Sequence, residues 1–179
     1  LHIADTKQIT FSEQDLLAQL SEQMHPAFIL VLDGVQDPHN LGACLRSADA
    51  AGVDAVLLPK NRSVAITPVV RKVACGAAET LRIITASNLA RTLQALQKQG
   101  VWIVGMDANT SSSQLLYQLD LTMPIALIMG SEGQGMRALT MKQCDFMGYL
   151  PMQGQVESLN VSVATGVALF EVVRQRLAV

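Results

Sequence analysis

The sequence predicts an α/β protein, a mostly parallel sheet with helices on both faces. Runs at 28–32, 55–58, 101–106 and 125–129 are apolar throughout, as strands buried on both faces must be. Between them lie stretches with helical spacing of apolar residues, punctuated by Gly and Pro. Polar, glycine-containing loops at 33–40, 130–135 and 151–158 each follow a predicted strand, and sheets of this kind bind ligands at those carboxyl ends.

Each element has its own local reason. Residues 1–11 are mixed in character and expected to be loose. Ser12-Glu13-Gln14-Asp15 opens a helix with a pattern like a capping box; Leu16, Leu17, Leu20 and Met24 form its apolar stripe, and Pro26 ends it. The strand 28–32 runs into Asp33-Gly34. Asp37-Pro38-His39-Asn40 is a turn, with Asn40 the expected N-cap of a helix over 41–51 that Gly52 stops. A strand at 55–58 is closed by Pro59, and Thr67-Pro68 starts a helix reaching about residue 75. A short strand at 81–84 precedes a helix capped by Ser87 or Asn88, running to Gln99 and stopped by Gly100. Strands follow at 101–106 and 125–129. A short helix near 137–143, a strand at 146–150 and a long helix over about 159–177 complete the chain.

Composition narrows the function. The chain has 179 residues, half of them hydrophobic and 16% charged, which favours one folded domain over a disordered segment. Aromatic residues are only 4%, so the core is aliphatic. No apolar run approaches the roughly 18–20 residues of a membrane span. The start carries no signal-peptide pattern and no initiator Met; a processed chain or a fragment of a longer protein would explain this, and the fragment is the expectation. A net charge of −2 disfavours nucleic-acid binding by bulk charge but leaves room for a local basic patch. Cys44, Cys75 and Cys144 are odd in number and far apart, and His2, His25 and His39 lack metal-ligand spacing. Neither a disulfide framework nor a zinc site is expected, and a reducing cytosol fits.

The three loops hold the candidate site. In the first, Arg46 is expected to lean back over Gly42 toward the helix start, where an anion is favoured; a plain cap and a solvated arginine are the alternative. In the second, Gly130, Gly133 and Gly135 allow close backbone approach to a ligand, with Glu132 as a hydrogen-bond acceptor; a tight turn with a solvated Glu is the alternative. Gly133-Gln134-Gly135-Met136-Arg137-Ala138 also fits a permissive dinucleotide fingerprint, which keeps a Rossmann-type oxidoreductase open, although it lies on a late strand. In the third loop, Ser158 can cap the last helix with Asn160 in its first turn, either as site residues or as helix-start residues alone.

Lys60, Arg62, Arg71, Lys72 and Arg82 can form a phosphate-binding surface or a solvated face. Met123, Met129, Met136, Met141, Met147 and Met152 read as core filler. Arg174 and Arg176 suit a helix end and need no partner there. No Ser or Cys has a His at a spacing that supports nucleophilic catalysis.

Together and in this order, the loops resemble the SpoU branch of the SPOUT RNA methyltransferases. Asp37-Pro38, Asn40, Gly42 and Arg46 look like its first motif. Met129-Gly130-Ser131-Glu132-Gly133 with Gly135 looks like the second. Pro151-Met152, Gly154 and Ser158-Leu159-Asn160-Val161-Ser162-Val163-Ala164 look like the third. The resemblance runs over about residues 28–176, with Ser131, Gln134 and Glu157 as small departures. Finer matches at 32–35, 45–52 and 73–79 narrow it to members that methylate a guanosine ribose of 23S ribosomal RNA; transfer-RNA methyltransferases share the three motifs.

The resemblance implies a sheet whose C-terminal segment is threaded as a deep trefoil knot. It implies a cytoplasmic homodimer with the site near the subunit contact, no metal, and S-adenosylmethionine held largely by backbone at Met129, Gly130, Gly135, Leu150 and Leu159. The implied catalytic set is Asn40, Arg46, Glu132, Ser158 and Asn160. It implies an RNA-binding domain ahead of the catalytic one, so 1–25 are expected to be a linker remnant and 26–179 the catalytic domain. An RNA-binding module without catalysis is a weaker alternative, given few aromatics and low basicity.

Overall fold

The computed structural model describes residues 10–107, 111–131 and 133–179. Its strands are β1 (Phe28–Asp33), β2 (Ala55–Pro59), β3 (Ile83–Ala86), β4 (Trp102–Met106), β5 (Gln114–Leu115), β6 (Ile125–Gly130) and β7 (Phe146–Tyr149). They pair in parallel, in the order β3-β2-β1-β6-β4-β7-β5.

Both faces of the sheet are covered, which is why the central strands carry no polar alternation. Leu30, Leu32, Val56 and Leu127 pack with Leu41 and Leu45 of α2 (Pro38–Ala51), Val70 of α3 (Pro68–Ala74) and Leu169 of α7 (Val161–Leu177). On the other face, Ile29, Val31, Leu57 and Ile128 pack with Leu16 of α1 (Glu13–Glu22) and with Leu93 and Leu96 of α5 (Leu89–Lys98). Short helices α4 (Ala77–Thr80) and α6 (Ala138–Met141) fill the connections.

Local chemistry sets the boundaries. Ser12 and Asp15 complete the capping box of α1, which ends at Glu22 and leaves Met24 fully exposed outside the expected stripe. α2 starts earlier than the sequence suggests: Asp37 is its N-cap, accepting from Asn40 N–H at 2.9 Å, and Pro38 takes the first helical position. Asn40 is therefore inside the first turn. The expected strand at 81–84 begins at Ile83, because α4 occupies the preceding residues and Leu81 closes it.

Gly42 serves a purpose other than leaving room for Arg46. A Cβ there would lie 2.7 Å from Val73 Cβ and 2.8 Å from Val70 O, so its bare face is what lets α3 pack against α2. The C-terminal arginines also have partners. Arg174 pairs with the buried Glu171, and Arg176 donates to the carbonyls of Pro26, Ala27, Leu121 and Met123 at 2.9–3.2 Å. The Arg176 guanidinium lies 4.9 Å from the Phe28 ring centre. That clamp ties the end of α7 to the segments that lead into β1 and β6.

Candidate functional site

Sheet order brings β1, β6 and β4 side by side although they are far apart in the chain, so their carboxyl ends open at one edge. Gly130 ends β6. A Cβ on it would sit 2.5 Å from both Gly135 C and Met136 N, so only glycine allows the following turn to fold back over the strand end. Ser131 and Gly135 close that turn by exchanging backbone hydrogen bonds at 3.2 and 2.9 Å. Beyond it, the buried Asp33 carboxylate accepts from Arg137 N–H at 3.1 Å and from Arg137 Nε at 2.9 Å, which anchors the turn to the end of β1.

A cavity of about 450 Å³ opens between this turn, the end of β4 and the residues leading into α7. Met129, Gly130, Gly135, Ser158, Leu159 and Asn160 all line it. Leu150 lines an adjoining recess of about 90 Å³ that shares Ser158 and Leu159 with the first. Asn40 lines a cavity of about 270 Å³ on the β1 side, with Asp37 and Arg62. The larger two cavities share Ser131 and Val161.

Asn160 and Asn40 meet where these cavities adjoin. Asn160 Nδ2 donates to Asn40 Oδ1 at 3.1 Å, although 120 positions separate them. Asn160, and not Ser158, caps α7: its Oδ1 accepts from Ser162 N–H at 2.9 Å and from Val163 N–H at 3.4 Å. Ser158 is exposed in the cavity wall. The first and third loops thus each begin a helix, and both helix starts face the same place.

The structure does not bring Arg46 into any of these cavities. It is exposed on α2, about 9 Å along the helix axis from Asn40. Glu132 lies outside the described residues.

The sequence reading missed Met106, Asp107 and Glu157. Asp107 follows β4, its N–H donating to Gly148 O at 3.0 Å, and its side of the strand end lines the large cavity. The available signal was a carboxylate directly after an apolar strand run. Glu157 was visible only as a departure from a motif. With these two carboxylates, and no Lys or Arg among its described lining residues, the large cavity suits a cationic ligand. Met106, Met129 and Leu159 supply apolar wall for a flat or aliphatic group. The Asn40 cavity carries one charge of each sign, Arg62 and Asp37, beside polar Gln36 and Gln134.

The expected basic surface is divided. Arg71 pairs with Glu79, and Arg82 bonds Gln19 and lies 5.0 Å from the Phe11 ring centre. Lys60 and Arg62 remain at the carboxyl edge, where they line cavities.

Comparison with known proteins gives a consistent picture. The SpoU rRNA Methylase family matches residues 27–170. The 23S rRNA (guanosine-2′-O-)-methyltransferase RlmB of Pseudomonas putida is 60% identical over 162 residues, which are 90% of this chain and 64% of that protein. A solved RNA 2′-O ribose methyltransferase superposes with a TM-score of 0.75 at 37% identity, over 87% of this chain and 60% of its own. An rRNA methyltransferase of Sinorhizobium meliloti, solved with AdoMet bound, superposes with a TM-score of 0.80 at 27% identity, over 93% and 61%. The chain spans less than two thirds of the length of each of these relatives.

Proposed function

The chain belongs to the SpoU rRNA methylase family, and from that premise we propose that it methylates the ribose 2′-hydroxyl of a guanosine in 23S ribosomal RNA, using S-adenosylmethionine, as an enzyme of RlmB type. The observation that carries this reading is the pair of adjoining cavities, one acidic and one polar with a guanidinium, joined by the Asn160–Asn40 hydrogen bond.

The large cavity fits S-adenosylmethionine in size and chemistry. Its volume of about 450 Å³ is in the range of small-molecule sites. Asp107 and Glu157 suit the cofactor's positive charges, and the apolar wall suits its adenine. The Gly130 turn brings backbone close enough to supply hydrogen bonds. Met129, Gly130, Gly135, Leu150 and Leu159 are the positions proposed to hold it. When bound, the cofactor supplies an electrophilic methyl group on a sulfonium, and no metal is needed for its transfer.

The chain's own residues then have to present a ribose hydroxyl, a weak acid that loses its proton as it attacks. Asn40 and Asn160 are proposed to orient the ribose, with Ser158 and Glu132 completing the hydrogen-bond network. Fixing the hydroxyl in line for attack supplies much of the acceleration. Arg46 is not the base, since a guanidinium deprotonates only above about pH 12. Its proposed role is to hold an RNA phosphate adjacent to the target ribose. Ser158 and Asn160 are exposed, so the proton released from the hydroxyl has access to water.

The proposed unit is a homodimer. What supports it is an exposed apolar stripe of Val163, Val167 and Phe170 on α7, next to the exposed Leu159 at the cavity. We also take the approach of residues 157–161 to the ends of β4 and β6 as part of the trefoil threading that the family resemblance implies. Residues 26–179 are the proposed catalytic domain, with 1–25 as an N-terminal segment whose helix α1 packs Leu16 against the sheet. The proposed compartment is the cytoplasm; among the described residues no helix is long and apolar enough to cross a membrane.

Identity to RlmB favours ribosomal RNA over the transfer-RNA guanosine that a related enzyme of the same family would methylate. A dinucleotide oxidoreductase is disfavoured because the glycine turn follows β6 rather than the opening βαβ unit. Titration with S-adenosylmethionine and with NAD tests the reading: only the first is expected to bind, and binding of NAD alone would overturn it.

A further inference from the structure

The carboxyl edge of the sheet holds another cavity, of about 170 Å³, which the catalytic reading leaves unused. It lies at the ends of β2 and β3. Its walls are Lys60 and Asn61 from the loop after β2, Ser87 and the first turn of α5, and Arg137 from the turn before α6. Among the described residues, no carboxylate and no aromatic ring lines it.

Charge in this cavity is not balanced. Arg137 commits its Nε and its backbone N–H to the buried Asp33. Its terminal guanidinium nitrogens make no hydrogen bond among the described residues, and its side chain keeps 34% exposure. Asp33 offsets that cation alone. Lys60 is exposed and has no ion pair among the described residues, so it leaves a surplus positive charge. Asn88 caps α5 by accepting from Arg91 N–H, which leaves Leu89 and Ala90 N–H at the cavity wall without an intrahelical acceptor. That first turn holds no acidic residue.

We propose that this cavity binds a backbone phosphate of the RNA strand, within a few nucleotides of the target ribose; this rests on the RNA-methylating reading above. Two cations from different elements, unopposed N–H groups and no acid form a phosphate site. The lack of an aromatic ring excludes base stacking there. Position agrees with chemistry. Neighbouring strands are about 4.8 Å apart, so the ends of β2 and β6 are separated by about 10 Å along the same edge. The Asn40 cavity with Arg62 lies between them, so the strand would pass from Lys60 past Arg62 to Asn40 and Asn160. Arg137 joins the two ends, because the residue that walls the phosphate cavity also anchors the turn after Gly130.

The test is RNA binding and methylation by the full-length gene product and its Lys60→Glu variant. S-adenosylmethionine affinity and thermal unfolding are measured alongside; both are expected unchanged, since Lys60 is exposed and outside the cofactor cavity. RNA affinity is expected to fall about tenfold or more, and the salt slope to become shallower by about one. RNAs with one phosphate neutralised as a methylphosphonate then locate the contact. At one flanking position the substitution weakens the parent but not Lys60→Glu. Equal affinity and equal salt slope in parent and variant would overturn the proposal, as would every neutralised position weakening both alike. A parent that fails to methylate any RNA is a different result, and it would remove the catalytic reading itself.

Discussion

Asn160 donates to Asn40 across 3.1 Å, and each of these residues stands at the start of a helix that packs against the other's. The bond is the structural link between the first and third loops. In the proposed reaction it also sets where the ribose sits relative to the cavity proposed for the cofactor.

The link predicts a non-additive pair. Asn40→Ala leaves the Asp37 cap of α2 in place, so stability falls by less than about 1 kcal/mol while methyl transfer drops roughly tenfold or more. Asn160→Ala also removes the α7 cap and costs about 1 kcal/mol of stability. The double variant is expected to be no slower than the worse single variant. Thermal melts and single-turnover methylation of all three measure this, and fully additive rate losses would contradict it.

Gly130→Ala places a Cβ against backbone atoms that cannot swing aside. S-adenosylmethionine affinity is expected to fall roughly tenfold or more, with retained secondary structure. Gly154→Ala is the control, because a Cβ there meets nothing within 4 Å. Calorimetric titration of both should separate them clearly; a Gly130→Ala protein that binds like the parent would show that the turn is not the cofactor cradle.

Arg46→Ala is expected to lower methyl transfer about a hundredfold while S-adenosylmethionine affinity survives. The residue lines none of the described cavities, which protects cofactor binding from the substitution. Activity within a few-fold of the parent would remove Arg46 from the site.

Arg176→Ala removes the side-chain donor from four backbone carbonyls at a half-buried position, of which Ala27 O keeps the Ile125 N–H. The expected cost is on the order of 2–4 kcal/mol, read by denaturant unfolding. A loss below about 0.5 kcal/mol would mean that water replaces the clamp.

Burial pushes the Cys144 thiol up to about 12, with the Asp145 and Asp33 carboxylates adding to the shift. A thiol with a raised value stays protonated, and the thiolate is the reactive form. At pH 8 a disulfide reagent should therefore label the exposed Cys75 and spare Cys144 until the chain unfolds. Rapid labelling of Cys144 in the native protein would contradict this.

Much of this architecture was legible in the sequence. The strands β1, β2, β4 and β6 announce themselves because burial on both faces demands unbroken apolar runs. Short elements such as α4 and β5 were not legible, since a few residues carry no period. Caps were misassigned by a few residues: Asp37 and Asn160 take the roles read for Asn40 and Ser158, because several polar residues at each helix start can accept a first-turn N–H. Gly130 was identified as a site glycine, and the contact that requires it comes from Gly135 and Met136 folding back. The Asp33–Arg137 bond spans 104 positions and left no local trace. Nor could spacing alone show that Arg46 stays out of the lining of the cavities.

The most direct measurement is methyl transfer with labelled S-adenosylmethionine to 23S ribosomal RNA and to transfer RNA, followed by mapping of the modified nucleotide. The account predicts label on the ribose 2′-oxygen of a guanosine in 23S ribosomal RNA, reduced by Asn160→Ala. Label on a base, or label on transfer RNA alone, would contradict it.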